Sequence, residues 1–133
     1  MRILLDTHVW IWSQENPEEL GDRTRELLID PEQALYVSPV STLEIARLIG
    51  GGTIRLSGGL LEWVTDTLKA LRGITVQISH EIAAEAYALP GFFHKDPADR
   101  ILAATARLDH LTLVTADDRL LRYPHVRTQD ARH

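Results

Sequence analysis

Arg2-Ile3-Leu4-Leu5-Asp6-Thr7-His8 carries a short apolar run straight into an acid. Such a run reads as a buried strand, Arg2 to Leu5, with a turn at Asp6-Thr7-His8 and a further apolar segment from Val9 to Trp12. In open parallel sheets, sites form beyond the carboxyl ends of the strands, where loops lead into helices. Outward from this stretch the same alternation repeats. Leu35 to Val37, Thr75 to Ile78 and Leu111 to Val114 are the next strand candidates, with Val126 to Thr128 as a candidate edge strand. Between them, helical spacing runs over Asp22 to Ile29, Ser41 to Ile49, Leu61 to Leu71, Glu81 to Ala88, Ala98 to Leu108 and Asp117 to Leu121. Gly50-Gly51-Gly52 stops the second of these helices. Short apolar strands alternating with amphipathic helices predict an α/β fold of three layers, α/β/α, around a mostly parallel central sheet of four to five strands.

The 133 residues fit one domain spanning 1–133, and 44% hydrophobic with 25% charged residues is an ordinary globular balance. No apolar run approaches the roughly 18 residues of a membrane span. The opening apolar stretch is cut by Asp6 too early for a signal-peptide core, so the chain is expected to be cytoplasmic. With no cysteine, disulfides, thiol nucleophiles and zinc-thiolate sites are excluded. A net charge of −5 argues against a generic nucleic-acid binder with a basic surface. It does not argue against an enzyme that meets a phosphodiester through bound cations, because clustered carboxylates are then ligands.

Acids recur where a parallel sheet would gather them. Asp6 follows the first strand, Glu44 falls in the first turn of the helix after the second, Asp99 opens the long helix and Asp117 follows the fourth strand. Each has a structural alternative. Ser41-Thr42-Leu43-Glu44 matches a capping box. Asp96-Pro97 matches an N-cap with proline at the first helical position, and Asp99 then lies in the first turn. Asp117 or Asp118 could cap the last helix. Capping does not account for Asp6, whose neighbours Leu5 and Val9 predict burial, where an unpaired carboxylate is costly. If the carboxylates meet, their repulsion calls for a hard, oxygen-seeking cation, Mg²⁺ or Mn²⁺. Such ions bind phosphate oxygens and activate water, which suffices for phosphodiester hydrolysis.

Other side chains have two readings each. Trp10, Trp12 and Trp63 could stack on bases, although tryptophan is more often core. His8 could shuttle protons or be a partly buried turn residue. Lys95 and Arg100 flank the acids and could hold phosphates or form surface ion pairs. Arg47 sits one turn beyond Glu44, in position for an ion pair. The Leu61 to Leu71 stripe and the helix bearing Glu44 form the candidate surface for a partner or a second copy.

The chain resembles the PIN-domain nucleases, and among them the VapC-type toxins of prokaryotic toxin–antitoxin pairs. The resemblance rests on four blocks in order: Ile3-Leu4-Leu5-Asp6-Thr7-His8, Val40-Ser41-Thr42-Leu43-Glu44-Ile45-Ala46, His94 to Ala106 with Asp96-Pro97-Ala98-Asp99-Arg100, and Leu113-Val114-Thr115-Ala116-Asp117. It implies Asp6, Glu44 and Asp99 as the principal metal-binding acids, Asp117 as the more variable fourth, and Asp96 as an additional acid. Thr7 and Ser41 match small polar positions beside the site. It further implies cleavage of single-stranded or structured RNA, a homodimer and neutralisation by a cognate antitoxin. An aspartate-nucleophile phosphatase would want a second acid two residues after Asp6, where His8 stands. A receiver-type module would want an acidic pair at the first strand and a late lysine, neither of which is present. A non-catalytic module that binds RNA or a partner stands as the remaining alternative.

Overall fold

Alternation along the strands decides which helices pack on which side of the sheet. In the computed structural model, which describes residues 1–133, the strands are β1 (Arg2–Leu5), β2 (Ala34–Val37), β3 (Ile74–Thr75), β4 (Thr112–Thr115) and β5 (Thr128–Asp130). The helices are α1 (Thr7–Glu15), α2 (Asp22–Ile29), α3 (Pro39–Gly50), α4 (Leu60–Leu71), α5 (His80–Glu85), α6 (Pro97–Leu108) and α7 (Asp118–Arg122). Ile3 and Leu5 point to one side of β1 and pack with Trp10 of α1, Leu27 of α2, Ile45 of α3 and Trp63 of α4. Leu4 points to the other side, among Leu102 and Ala106 of α6 and Leu120 of α7. Val114 and Leu113 of β4 divide the same way, and α5 joins the second layer through Ile82 and Ala86 against Ala104. Successive side chains on opposite faces of a strand thus build the expected three layers.

All four strand pairings are parallel, in the order β3-β2-β1-β4-β5. The chain leaves β1 towards β2 and β3, then returns to the other flank of β1 for β4. The order therefore reverses between β1 and β4, and a crevice opens beyond their carboxyl ends. That crevice receives Asp6 from one strand and Thr115-Ala116-Asp117 from the other.

Several boundaries differ from the sequence reading. The apolar segment at Val9 to Trp12 belongs to a helix, α1, that starts directly at Thr7. Helix α3 starts at Pro39 with Ser38 as its cap, whose hydroxyl accepts the Val40 N–H at 3.1 Å. The Ser41 to Glu44 stretch is therefore not a capping box; Ser41 is buried inside the helix and Glu44 lies in its second turn. Strand β3 is Ile74–Thr75, ahead of the expected Thr75 to Ile78, because it borders only β2 and the chain turns off to cap α5 with Ser79. The spacing predicts that helix over Glu81 to Ala88, whereas α5 runs from His80 to Glu85. Strand β5 sits two residues later than the expected Val126 to Thr128, since Thr128 is the residue in register with Leu113 while Val126 packs into the core.

The sheet's last strand leads into a tight approach at Gly21, just before α2. Its N–H donates to Ala131 O at 2.9 Å, and a Cβ there would lie 2.2 Å from the His133 carbonyl carbon. Gly21→Ala is expected to displace residues 131–133 and to destabilise the protein by about 1–3 kcal/mol, as overpacking does. A urea melt measures this, and an unchanged midpoint would show that the approach is not tight in solution.

Candidate functional site

Asp6 ends β1 with its N–H still in the sheet, donating to Val114 O at 3.0 Å. Its carboxylate is only 6% exposed. One oxygen accepts the Thr7 N–H at 2.7 Å and the other the Thr115 hydroxyl at 2.6 Å. Asp6 therefore does cap α1, contrary to the sequence reading. Burial pushes its pKa up, although the bonds from Thr115 and Thr7 pull the other way. Thr115 also accepts the Asp117 N–H at 3.0 Å, so one hydroxyl ties together the ends of β1 and β4.

Glu44 reaches the same place from α3. The Thr7 hydroxyl lies 2.8 Å from Glu44 Oε1 and 2.9 Å from Ser41 Oγ. A hydroxyl has one proton to give. The carboxylate, which can only accept, takes it, and Thr7 then accepts from Ser41. Burial raises the Glu44 pKa, opposed by the Thr7 bond and reinforced by the charges of Asp6 and Asp96. Arg47 Nη2 stands 3.9 Å from Glu44 Oε2, the expected ion pair at long range.

From α6 come Asp96 and Asp99. Asp96 Oδ1 accepts the N–H groups of Ala98 at 2.9 Å and Asp99 at 3.2 Å, the expected N-cap. Asp99 is 7% exposed, and Oδ2 accepts a hydrogen bond from His94 Nε2 at 2.6 Å. Burial is the main cause that raises the Asp99 pKa to about 6; the His94 bond lowers it, and repulsion from Asp6 and Asp96 adds to the rise.

Asp117 caps α7 through the Arg119 N–H at 2.8 Å. Partial burial works against its ionisation but is outweighed by hydrogen bonds and charge from Arg119, so its pKa is lowered. Asp118 is paired with Arg132 at 3.0 Å, and of the two only Asp117 lines the cleft.

Asp6, Glu44, Asp96, Asp99 and Asp117 line one cleft of about 350 Å³ together with His8, Trp12, Arg47 and Arg119. A larger cavity of about 950 Å³ lies near the amino ends of β2 and β3, lined by residues such as Leu20, Leu28 and Leu35 with Asp30 as its one carboxylate. It lacks the convergent charge that chemistry on a phosphodiester needs. The donors in the acidic cleft are hard carboxylate oxygens, three with pKa values raised by burial and mutual repulsion, a set that fits a divalent cation. As they stand, no three side chains converge on an ion-sized point. Each acid faces its own protein partner instead: Thr115, Thr7, His94 or Arg119.

The remaining sequence candidates divide clearly. Trp10 and Trp63 are buried core, their rings 5.1 Å apart, so neither is a base platform. Trp12 and the exposed His8 do line the cleft. Arg100 is no phosphate ligand: its guanidinium donates to Ala86 O at 3.0 Å and Phe93 O at 2.9 Å and lies over the Tyr87 ring. Lys95 is exposed and makes none of the cleft's contacts. Thr115, His94 and Arg119 were not singled out from sequence. The signal for Thr115 and Arg119 was their place two residues on either side of Asp117; for His94 it was its position ahead of Asp96-Pro97.

A family model described as PIN domain matches residues 3–126. The chain is 37% identical over 125 residues to Ribonuclease VapC22 of Mycobacterium tuberculosis, covering 94% of each chain. Among solved structures, it is similar to VapBC2 from Rickettsia felis bound to a promoter DNA fragment, with a TM-score of 0.67, 17% identity and coverage of 97% and 98% of the two chains. It is also similar to FitAcB from Neisseria gonorrhoeae, with a TM-score of 0.65, 23% identity and coverage of 98% and 99%. At these identities the two structures establish the fold.

The raised Asp99 pKa has a consequence for stability. Between the ordinary value of 3.8 and about 6, the folded protein holds this proton more tightly than the unfolded chain does. Asp99's contribution to stability is therefore full below pH 3.8 and is lost as the pH rises through about 6. Asp99→Asn should raise the metal-free melting temperature at pH 7.5 by several degrees, on the order of 3 kcal/mol at most, and by much less at about pH 3.5. A gain that is equal at both pH values would contradict the assignment.

Proposed function

The chain belongs to the PIN-domain family, and from that premise we propose that it is a metal-dependent endoribonuclease, the toxin of a toxin–antitoxin pair. Its ion would be Mg²⁺ or Mn²⁺, held by Asp6, Glu44, Asp99 and Asp117. The observation that carries this reading is the arrival of these four acids, from four separate elements, in one cleft beyond the β1 and β4 ends of the sheet. When bound, the ion supplies Lewis acidity that polarises the phosphate and makes a water a competent nucleophile.

The protein's own groups prepare for that ion. Thr115 and the Thr7 N–H fix both Asp6 oxygens, Thr7 turns Glu44 towards the cleft, and His94 fixes Asp99. Trp12 and His8, at the rim, are placed to meet an incoming single strand. An aspartate-nucleophile phosphatase fits less well. Both Asp6 oxygens are engaged and the side chain is 94% covered, a poor presentation for in-line attack.

The partner surface proposed for a cognate antitoxin or a second copy is formed by α3 and α4. Val64, Leu68 and Leu71 pack into the core, but Leu43 of α3 and Leu61 of α4 are 70% and 76% exposed. No helix is long and apolar enough to cross a membrane.

Incubation of the purified protein with mixed single-stranded RNA tests the activity. Cleavage is expected with Mn²⁺ and none with EDTA. Asp6→Asn keeps the acceptor for the Thr7 N–H yet should lower the rate by about 100-fold or more, since even residues that only orient a metal ligand cost about 10- to 100-fold. Cleavage in EDTA, or full activity of the variant, would refute the proposal.

A further inference from the structure

The cleft's arginines are not equivalent. Arg47 approaches one acid at 3.9 Å and is 70% exposed. Arg119 touches two: Nη2 lies 3.1 Å from Asp117 Oδ2 and 3.7 Å from Asp99 Oδ2, while Nε lies 3.4 Å from Asp117 Oδ1. Its guanidinium bridges the end of β4 to the first turn of α6. It thereby contacts two of the four acids that the proposed function assigns to the ion.

This bridge is built to come apart. The Arg119 side chain is about half exposed, at 53%, and its contacts are to these two carboxylates. Arg100 is the contrast, locked by two backbone carbonyls and two aromatic rings. Meanwhile the Arg119 backbone is anchored, because its N–H is the donor that Asp117 caps. If the carboxylates are taken by another cation, the guanidinium is released but stays tethered at the rim of the cleft. There its planar fork of N–H donors matches the non-bridging oxygens of a phosphate.

We propose that Arg119 is the resident counter-ion of the metal-free site and, once displaced, its substrate-phosphate residue. It competes with the divalent ion for Asp99 and Asp117, then binds the RNA phosphate. This inference rests on the metal-dependent ribonuclease reading. It adds a built-in competition that weakens ion uptake until substrate offers the arginine a second anion. Binding of ion and RNA should therefore be mutually favourable, as linkage requires.

Calorimetric titration of Mn²⁺ into the full-length, metal-free protein tests the competition without reference to activity. Arg119→Gln should bind Mn²⁺ about three- to fivefold more tightly than wild type, the scale of an exposed ion pair. Arg47→Gln removes the same charge from the same rim without the bridge, so its gain should be clearly smaller. At saturating Mn²⁺, Arg119→Gln should raise KM for a mixed-sequence single-stranded RNA about tenfold with kcat little changed, and Arg119→Lys should recover much of that loss. Melting in EDTA confirms that each variant is folded. Equal Mn²⁺ gains for the Arg119 and Arg47 variants, or weaker binding by Arg119→Gln, overturns the competition. An unchanged KM overturns the phosphate role. If the wild type takes up no Mn²⁺ at all, the metal-dependent reading fails and this inference with it.

Discussion

A carboxylate buried at the end of the central strand is the constraint around which this protein is organised. Asp6 follows a strand with neighbours on both sides, so its position is fixed by the sheet and its charge is cut off from water. A buried carboxylate needs hydrogen bonds, and here they come from the start of α1 and from β4. Thr115 can serve only while β1 and β4 keep their register, with Leu5 opposite Val114. A slip of one residue would turn the Thr115 side chain to the opposite face and strip Asp6 of a donor. The register that packs Leu4 and Leu113 on one side of the sheet therefore also builds the site on its edge.

The bonds do not offset the whole cost. Asp6, Glu44 and Asp99 all have raised pKa values, each chiefly because of burial, with neighbouring acids adding to the rise. Asp117 escapes this through its arginine. The inner acids are thus left under electrostatic stress while the outer one is relieved. Stability alone would not select such an arrangement; strain of this kind is characteristic of sites kept for function. A cation bound in the cleft would cancel that repulsion, and its binding would then add to the stability of the fold.

Much of this was legible in the sequence, and the remainder was hidden for identifiable reasons. The layer order followed from apolar runs and helical spacing, which report burial directly. That Asp6, Glu44, Asp99 and Asp117 would meet at one edge was legible because each follows a strand or lies early in the helix after one. The misreadings were local. Ser38 and Ser41 both precede helical spacing, and only the burial of Ser41 against Thr7 shows which one caps α3. Neither reading of Arg100, phosphate contact or surface ion pair, matches its contacts, because charge near a site is visible in sequence whereas the backbone carbonyls of Ala86 and Phe93 that hold it are not. Thr115, His94 and Arg119 act through contacts with residues brought near by the fold, and no spacing rule announces a hydroxyl that serves a carboxylate 109 positions away.

Capping and metal binding are competing explanations for the acids in the sequence, but in this fold the two are not exclusive. In a parallel sheet every strand runs towards the same edge and the next helix leaves from it, so helix N-termini gather where the strands end. Asp6 caps α1, Asp96 caps α6, Asp117 caps α7, and Ser38 caps α3. Each N-terminus carries a partial positive charge from its unpaired N–H groups, felt most strongly within the first turn. Those groups satisfy one oxygen of Asp6, Asp96 and Asp117 while easing the repulsion among the acids. A carboxylate has a second oxygen and further lone pairs, so a cap does not exhaust it. The topology that creates the demand for caps thus concentrates acids at the one edge where they line a common cleft. Capping is part of what makes so acidic a cleft tolerable to the fold.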